Sequence, residues 1–151
     1  MDHDSHDTHD RIRRWVSLPV AAGEVWARIG DFGAMADWHP LVRESPVVEI
    51  GGATHRHLTL EDGGLSVERL TRTGERHYGY AVVEGPFPVA DCTGTLSAVP
   101  EAGGCHVFWS MDFEPADPVA DDIVAGFIEA GLRSLRTRFG TKPAAVDGGR
   151  V

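Results

Sequence analysis

The sequence predicts an α+β fold: one strand, two short helices, six further strands in an antiparallel sheet, and a long C-terminal helix. Three observations carry this prediction. Extended runs cut by glycine-rich turns fill residues 43–113. A long amphipathic pattern occupies residues 121–139. The 151 residues, 42% of them hydrophobic, make one domain able to bury roughly 70% of its unfolded surface.

Each element has a local reason. Residues 11–20 alternate Ile12, Arg14, Val16 and Leu18 against Arg13, Trp15 and Ser17, the period of a strand. Residues 22–30 place Val25, Trp26 and Ile29 on one helical face, and Gly30 ends the helix. A second short helix around residues 32–36 stops before Trp38-His39-Pro40, because proline cannot continue it. Six extended runs follow, separated by Gly51-Gly52, Asp62-Gly63-Gly64, Thr73-Gly74-Glu75, residues 84–88 and residues 100–104. In the last helix Val124, Phe127, Ile128, Gly131, Leu132, Leu135 and Phe139 form the apolar stripe. Arg133, Arg136 and Arg138 crowd its C-terminal turns, where the dipole favours cations. Gly131 and the small Ala125 and Ala130 predict an internal cavity between this helix and a concave sheet.

The ends and the charge restrict function. Residues 1–10 hold His3, His6, His9 and four aspartates, a composition that cannot enter a core, so a disordered tail is expected. Its histidine spacing could bind a transition metal, but a solvated acidic tail is the simpler reading, and no metal site is assigned. Residues 141–151 are expected to form a flexible tail, leaving one domain over 11–140. With 14 basic against 23 acidic residues the formal charge is −9, which disfavours nucleic acid and anionic membranes as partners. No apolar run reaches the ~20 residues of a membrane span and no signal-peptide pattern is present, so a cytoplasmic protein is expected. Cys92 and Cys105 are expected to be buried thiols too far apart along one hairpin for a disulfide.

Hairpin registers single out an inward polar patch. Arg56 shares a face with Leu58 and Leu60, opposite to His55, His57 and Glu61. A three-residue loop at Asp62-Gly63-Gly64 pairs Leu58 with Glu68 and Arg56 with Leu70, leaving Glu68 diagonal to Arg56 at about 7–8 Å. A three-residue loop at Thr73-Gly74-Glu75 then pairs Glu68 with Tyr80. A two-residue loop in either hairpin would turn Glu68 outward. A four-residue loop over Pro100–Gly103 sets Gly94 opposite Trp109, Leu96 opposite Val107 and Cys92 opposite Met111.

A buried arginine and glutamate left unpaired would each cost several kcal/mol, so they must pair or meet a polar ligand. A plain salt bridge satisfies that demand. The catalytic alternative has Glu68 moving a proton, Arg56 stabilising negative charge and Tyr80 donating or orienting.

The stretches VWARIGDFGAMADWHPLV (25–42), THRHLTLEDGG with VERL (54–70), YGYAVVEGPFPV (78–89), CHVFWSMDFEP (105–115) and GFIEAGLRSL (126–135) resemble the polyketide cyclase/dehydrase branch of the SRPBCC superfamily. That superfamily also includes START domains and the birch-pollen-allergen group. The resemblance implies a helix-grip fold: a seven-stranded antiparallel sheet wrapped around the long C-terminal helix, enclosing a cavity. Plant relatives of the lachrymatory-factor-synthase type use an arginine and a glutamate at positions matching Arg56 and Glu68. Where cyclase relatives often carry a tyrosine near the start of the sixth strand, this chain has Cys92 after Asp91.

Three readings of function follow, the second from a different class than the first. The first is an enzyme that binds a small, partly apolar, aromatic or polyketide-like compound and performs a cofactor-free cyclisation, dehydration or isomerisation, placing it in the lyase or isomerase class. The second is a non-catalytic carrier of a small apolar ligand. The third is a cavity-free structural or partner-binding module, marked by tight filling around Gly94 and Gly131. The expected ligand-binding residues are Trp38, His39, Leu58, Tyr78, Cys92, Trp109, Met111, Phe127, Gly131 and Leu132. No cofactor is expected, and the protein is expected to be a monomer or a homodimer. His39 is expected as a capping or surface residue, near enough to the cavity mouth to gate or touch a ligand. His55 and His57 lack a third ligand on their face, and no nucleophile triad, phosphate loop or dinucleotide fingerprint is present.

Overall fold

The structure, a computed structural model, describes residues 9–141 and residue 151. Most of the two expected tails therefore lies outside the described residues; Asp10, assigned to the first, opens the first strand. The elements are β1 (Asp10–Leu18), α1 (Ala22–Ile29), α2 (Met35–Trp38), β2 (Val42–Glu44), β3 (Val47–Ile50), β4 (Ala53–Leu60), β5 (Leu65–Gly74), β6 (His77–Glu84), β7 (Val89–Glu101), β8 (Gly104–Pro115) and α3 (Ala120–Phe139). This is the helix-grip order. The sheet has eight strands rather than seven, because the run expected at residues 43–50 breaks into β2 and β3 around Ser45-Pro46, both pairing with β4. Proline carries no N–H for the ladder, which is where the break falls.

The strands run β1-β8-β7-β6-β5-β4-β2, all antiparallel. From β3 to β8 consecutive strands are neighbours, β2 joins β4 beside β3, and β1 returns to pair with β8 over nine residues. Arg14, on the apolar side of β1, donates from Nε to Glu129 of α3 at 2.9 Å and ties the first strand to the last helix. At the outer edge of β1 the Val151 amide donates to the Trp15 carbonyl at 2.9 Å.

The core lies between the sheet and α3. Leu18, Leu58, Tyr78, Tyr80, Leu96, Trp109, Met111, Ile128, Leu132 and Leu135 are all buried. Each large apolar side chain removed from water stabilises the fold by about 1.5–3 kcal/mol. Cys92 and Cys105 are buried thiols, as expected.

The first and last hairpins are displaced by two residues from the expected register, and the middle one by three beside its turn and by two beyond a bulge. In the first, Arg56 pairs with Glu68 and Thr59 with Leu65, so the three-residue loop is Glu61-Asp62-Gly63. Gly63 carries the left-handed φ of +91° that the third loop position demands. In the last, Glu101 pairs with Gly104 and Leu96 with Trp109. The middle hairpin turns through two residues, Glu75-Arg76, with Gly74 opposite His77. That turn alone would send Glu68 outward. A bulge at Thr71, between the Leu70–Tyr80 and Arg72–Gly79 pairs, adds one residue to β5 and restores the inward face.

Candidate functional site

β4 and β5 place Arg56 and Glu68 directly opposite each other on the concave face. Arg56 is fully buried and Glu68 is 4% exposed. Arg56 Nε and Nη2 both approach the same Glu68 oxygen, Oε1, at 2.9 and 2.8 Å. Its Nη1 donates to the Tyr78 hydroxyl at 2.9 Å and to the Phe32 carbonyl at 3.2 Å. The other carboxylate oxygen, Oε2, accepts from Ser66 at 3.1 Å. The guanidinium also sits against three aromatic rings: Phe32 at 4.2 Å, Tyr80 at 4.9 Å and Tyr78 at 5.3 Å. Such faces attract a cation most strongly when water is excluded.

Burial pushes the Arg56 pKa down, but Tyr78, Glu68 and Tyr80 outweigh it and hold the pKa above the ordinary arginine value. Arg56 is therefore a permanent cation. Burial raises the pKa of both tyrosines, well above the usual value for Tyr80, so both phenols keep their protons at neutral pH. The expected triad of Arg56, Glu68 and Tyr80 is thus rearranged. Tyr78 takes the hydrogen bond from the arginine, while the Tyr80 hydroxyl accepts from Trp109 Nε1 at 2.9 Å.

His39 departs furthest from its expected position at the surface. It is buried, with its ring stacked on Phe127 at 4.2 Å between centroids. The Leu41 amide donates to its Nδ1, which fixes the proton on Nε2 and makes that nitrogen the donor to the Phe127 carbonyl at 2.8 Å. Desolvation pulls its pKa down to about 4. Ser134 adds a bond from α3 to the Trp38 carbonyl at 2.7 Å, and Arg138 another to the Asp37 carbonyl. Together these contacts latch the α2–β2 turn to α3.

The small residues expected to leave space instead admit rings. A Cβ on Gly94 would lie 2.2 Å from Tyr80 Cζ, and one on Gly131 would lie 2.6 Å from the His39 ring and 2.9 Å from Trp109. Trp109 pairs with Leu96 rather than Gly94, and edge-on contacts join it to Trp38, His39 and Phe127. Met111 takes the position opposite Gly94. Both glycine positions are therefore tightly filled, the mark of the third reading.

The open space lies elsewhere. A surface pocket of about 450 Å³ is bounded by Leu41, Leu60, Phe87, Ile123, Gly126 and Phe127, with Glu61, Asp62 and Asp122. Leu41 and Ile123 are 41% and 38% exposed. A hollow of about 60 Å³ lies behind Phe87, walled by Val82, Gly85, Val89 and Cys92 among others. Val82 pairs with Glu68, so this hollow reaches the strand position facing the carboxylate. Phe87 borders both spaces and packs edge-on against Phe127 at 5.2 Å.

Of the residues expected to bind ligand, Phe127 borders the pocket and Cys92 the hollow. Trp38, His39, Leu58, Tyr78, Trp109, Met111, Gly131 and Leu132 border neither. Burial, with Glu68 and Asp112, pushes the Cys92 thiol up to about 12. Sequence reasoning missed three contributors. Ser66 shares the inward face two residues before Glu68, a signal open to alternation. Phe87 comes from a loop, where no periodicity points to it, and Phe32, expected to open the second helix, lies in the turn before α2, which instead spans Met35–Trp38. Among the described residues no cluster of three or more His, Cys, Asp or Glu side chains has a metal-holding arrangement, and no helix is long and apolar enough to cross a membrane.

The profile of the family described as "polyketide cyclase / dehydrase and lipid transport" matches residues 9–140. No curated protein matches the chain. Among solved structures, an uncharacterised protein from Bacillus thuringiensis is 31% identical, with a TM-score of 0.76 over 87% of this chain and 98% of its own. The protein XoxI from Bacillus cereus is 29% identical, with a TM-score of 0.74 over 87% and 94%. The Zhui aromatase/cyclase from a Streptomyces species shares the fold at 16% identity, with a TM-score of 0.68 over 86% and 93%.

Proposed function

The chain belongs to the polyketide cyclase / dehydrase and lipid transport family, and on that premise we propose that it binds a small, partly apolar compound in the pocket between α3 and the β4–β5 turn. The observation that carries this reading is the 450 Å³ apolar pocket itself. Its size suits a small-molecule site, and it leaves Leu41 and Ile123 in water until a ligand covers them. Phe87 and Phe127 form its inner wall. Titration with the neutral fluorescent probe N-phenylnaphthylamine tests the proposal. Saturable binding that Gly126→Leu weakens at least about tenfold supports it, since the added side chain enters the open space beside Gly126. Non-saturable binding, or binding indifferent to Gly126→Leu, removes it.

A catalytic extension rests on a separate observation: the small hollow behind Phe87 is walled by Val82, the strand partner of Glu68. If Phe87 swings outward, a bound carbonyl compound can meet the Glu68–Arg56 pair. Glu68 would take a proton from the carbon beside the carbonyl and Arg56 would stabilise the resulting enolate. Glu68 would then return the proton at another atom of the enolate system (isomerisation), pass it to a leaving hydroxyl (dehydration), or give it to the alkoxide formed when the enolate carbon attacks a second carbonyl of the same molecule (cyclisation). This is a cofactor-free cyclisation, dehydration or isomerisation. A general acid/base contributes about 10²–10⁴ in rate, so Glu68→Gln should lose at least about 100-fold in turnover of an aromatic polyketide-like substrate. Undiminished turnover in that variant leaves binding as the whole function.

A further inference from the structure

Three acidic side chains stand around the surface pocket, and no basic residue borders it. Glu61 and Asp62 come from the β4–β5 turn and Asp122 from the first turn of α3; all three are exposed. None of them forms an ion pair among the described residues. Asp62 Oδ1 accepts the Gly64 amide, which leaves its second oxygen uncommitted by that bond. The N-terminus of α3 contributes a partial positive charge, but Asp121 and Asp122 together outweigh it. Deeper in the fold, Arg56 is neutralised by Glu68. The pocket thus combines an apolar wall with a negative rim.

Resting on the pocket reading above, we infer that the ligand class is cationic and amphiphilic: an aliphatic or aromatic amine whose apolar body covers Leu41, Phe87, Ile123 and Phe127 and whose ammonium group faces Glu61, Asp62 and Asp122. An amine gains at both ends of this pocket. A carboxylate of equal length meets the same wall and three like charges. Because the rim is solvent-exposed, the preference is moderate and salt-dependent.

The test uses three eight-carbon probes, octylamine, octanol and octanoate, titrated calorimetrically at about pH 7. At low ionic strength octylammonium should bind about tenfold more tightly than octanoate, with octanol between them, and about 0.5 M salt should shrink the gap to about twofold. The triple variant Glu61→Gln/Asp62→Asn/Asp122→Asn should bring octylammonium and octanoate within about twofold while leaving octanol unchanged. A control variant, Glu24→Gln/Glu49→Gln/Glu75→Gln, removes the same formal charge outside the pocket and should keep the tenfold gap. Equal collapse in the control would assign the preference to the field of the whole chain and overturn the inference. Octanol binding with octylammonium and octanoate equal overturns the ligand class and leaves the pocket standing. Absence of binding by all three probes overturns the pocket reading, and the ligand class with it.

Discussion

Arg56 and Glu68 face each other across β4 and β5, and two guanidinium nitrogens converge on one carboxylate oxygen within a fully desolvated layer of aromatic rings. Removing one member of such a pair strands the other charge, which costs about 3–5 kcal/mol. Arg56→Met and Glu68→Leu should each lose about that much in urea denaturation. The double variant should lose less than the sum, because two similar apolar groups replace the pair. Additive losses would mean that the two side chains are not coupled.

His39 makes stability depend on pH. Its folded pKa of about 4 lies below the ordinary 6.5, so between those values the unfolded chain holds a proton that the folded chain excludes. Stability therefore rises with pH across the window and falls as pH drops from 6.5 toward 4, by on the order of 3 kcal/mol in all. Urea midpoints measured at about pH 7 and about pH 4.5 should diverge more in the native protein than in His39→Gln. Equal divergence would remove His39 as the cause.

Two glycines of α3 should respond oppositely to alanine. Gly131→Ala drives a methyl into His39 and Trp109 and should cost about 1–3 kcal/mol. Gly126→Ala meets nothing within 4 Å and removes backbone freedom from a helix, so it should stabilise by about 0.5–1 kcal/mol. Thermal melting of the two variants checks both signs.

Cys92 should resist alkylation in the native protein. Its thiol is buried and its pKa pushed up to about 12, so almost no thiolate is present at pH 8. Iodoacetamide followed by peptide mass analysis should modify Cys92 only after denaturation. Native labelling would show that Phe87 opens the hollow beside it often enough to admit the reagent.

The inward faces were legible in the sequence because side chains alternate with a period of two, and the register displacements at Arg56, Glu68 and Trp109 are also two. Arg56 and Glu68 keep their face whichever of Gly63 and Gly64 takes the left-handed conformation, although their separation does not. What sequence could not resolve is which glycine serves the turn, or that a bulge at Thr71 offsets a two-residue loop at Glu75-Arg76. For that reason Tyr80 takes Leu70, the partner expected for Tyr78, and Tyr78 pairs with Thr73. The cavity was misplaced by a different ambiguity. A glycine facing the interior signals either open space or the close approach of a ring, and the Tyr80 and His39 rings that claim Gly94 and Gly131 come from other elements of the chain.

The bulge also constrains how this chain can change length over descent. Loss of Thr71 alone, or gain of one residue between Gly74 and His77 alone, would invert the facing of one strand of the β5–β6 pair relative to the other. Either Glu68 or the two tyrosines would then point to solvent. The two changes together cancel, since an ordinary ladder joined by a three-residue loop gives the same facing. Relatives that differ in length at one of these places should therefore differ at the other, and an alignment that inserts a gap at only one of them misplaces Glu68 against its tyrosines.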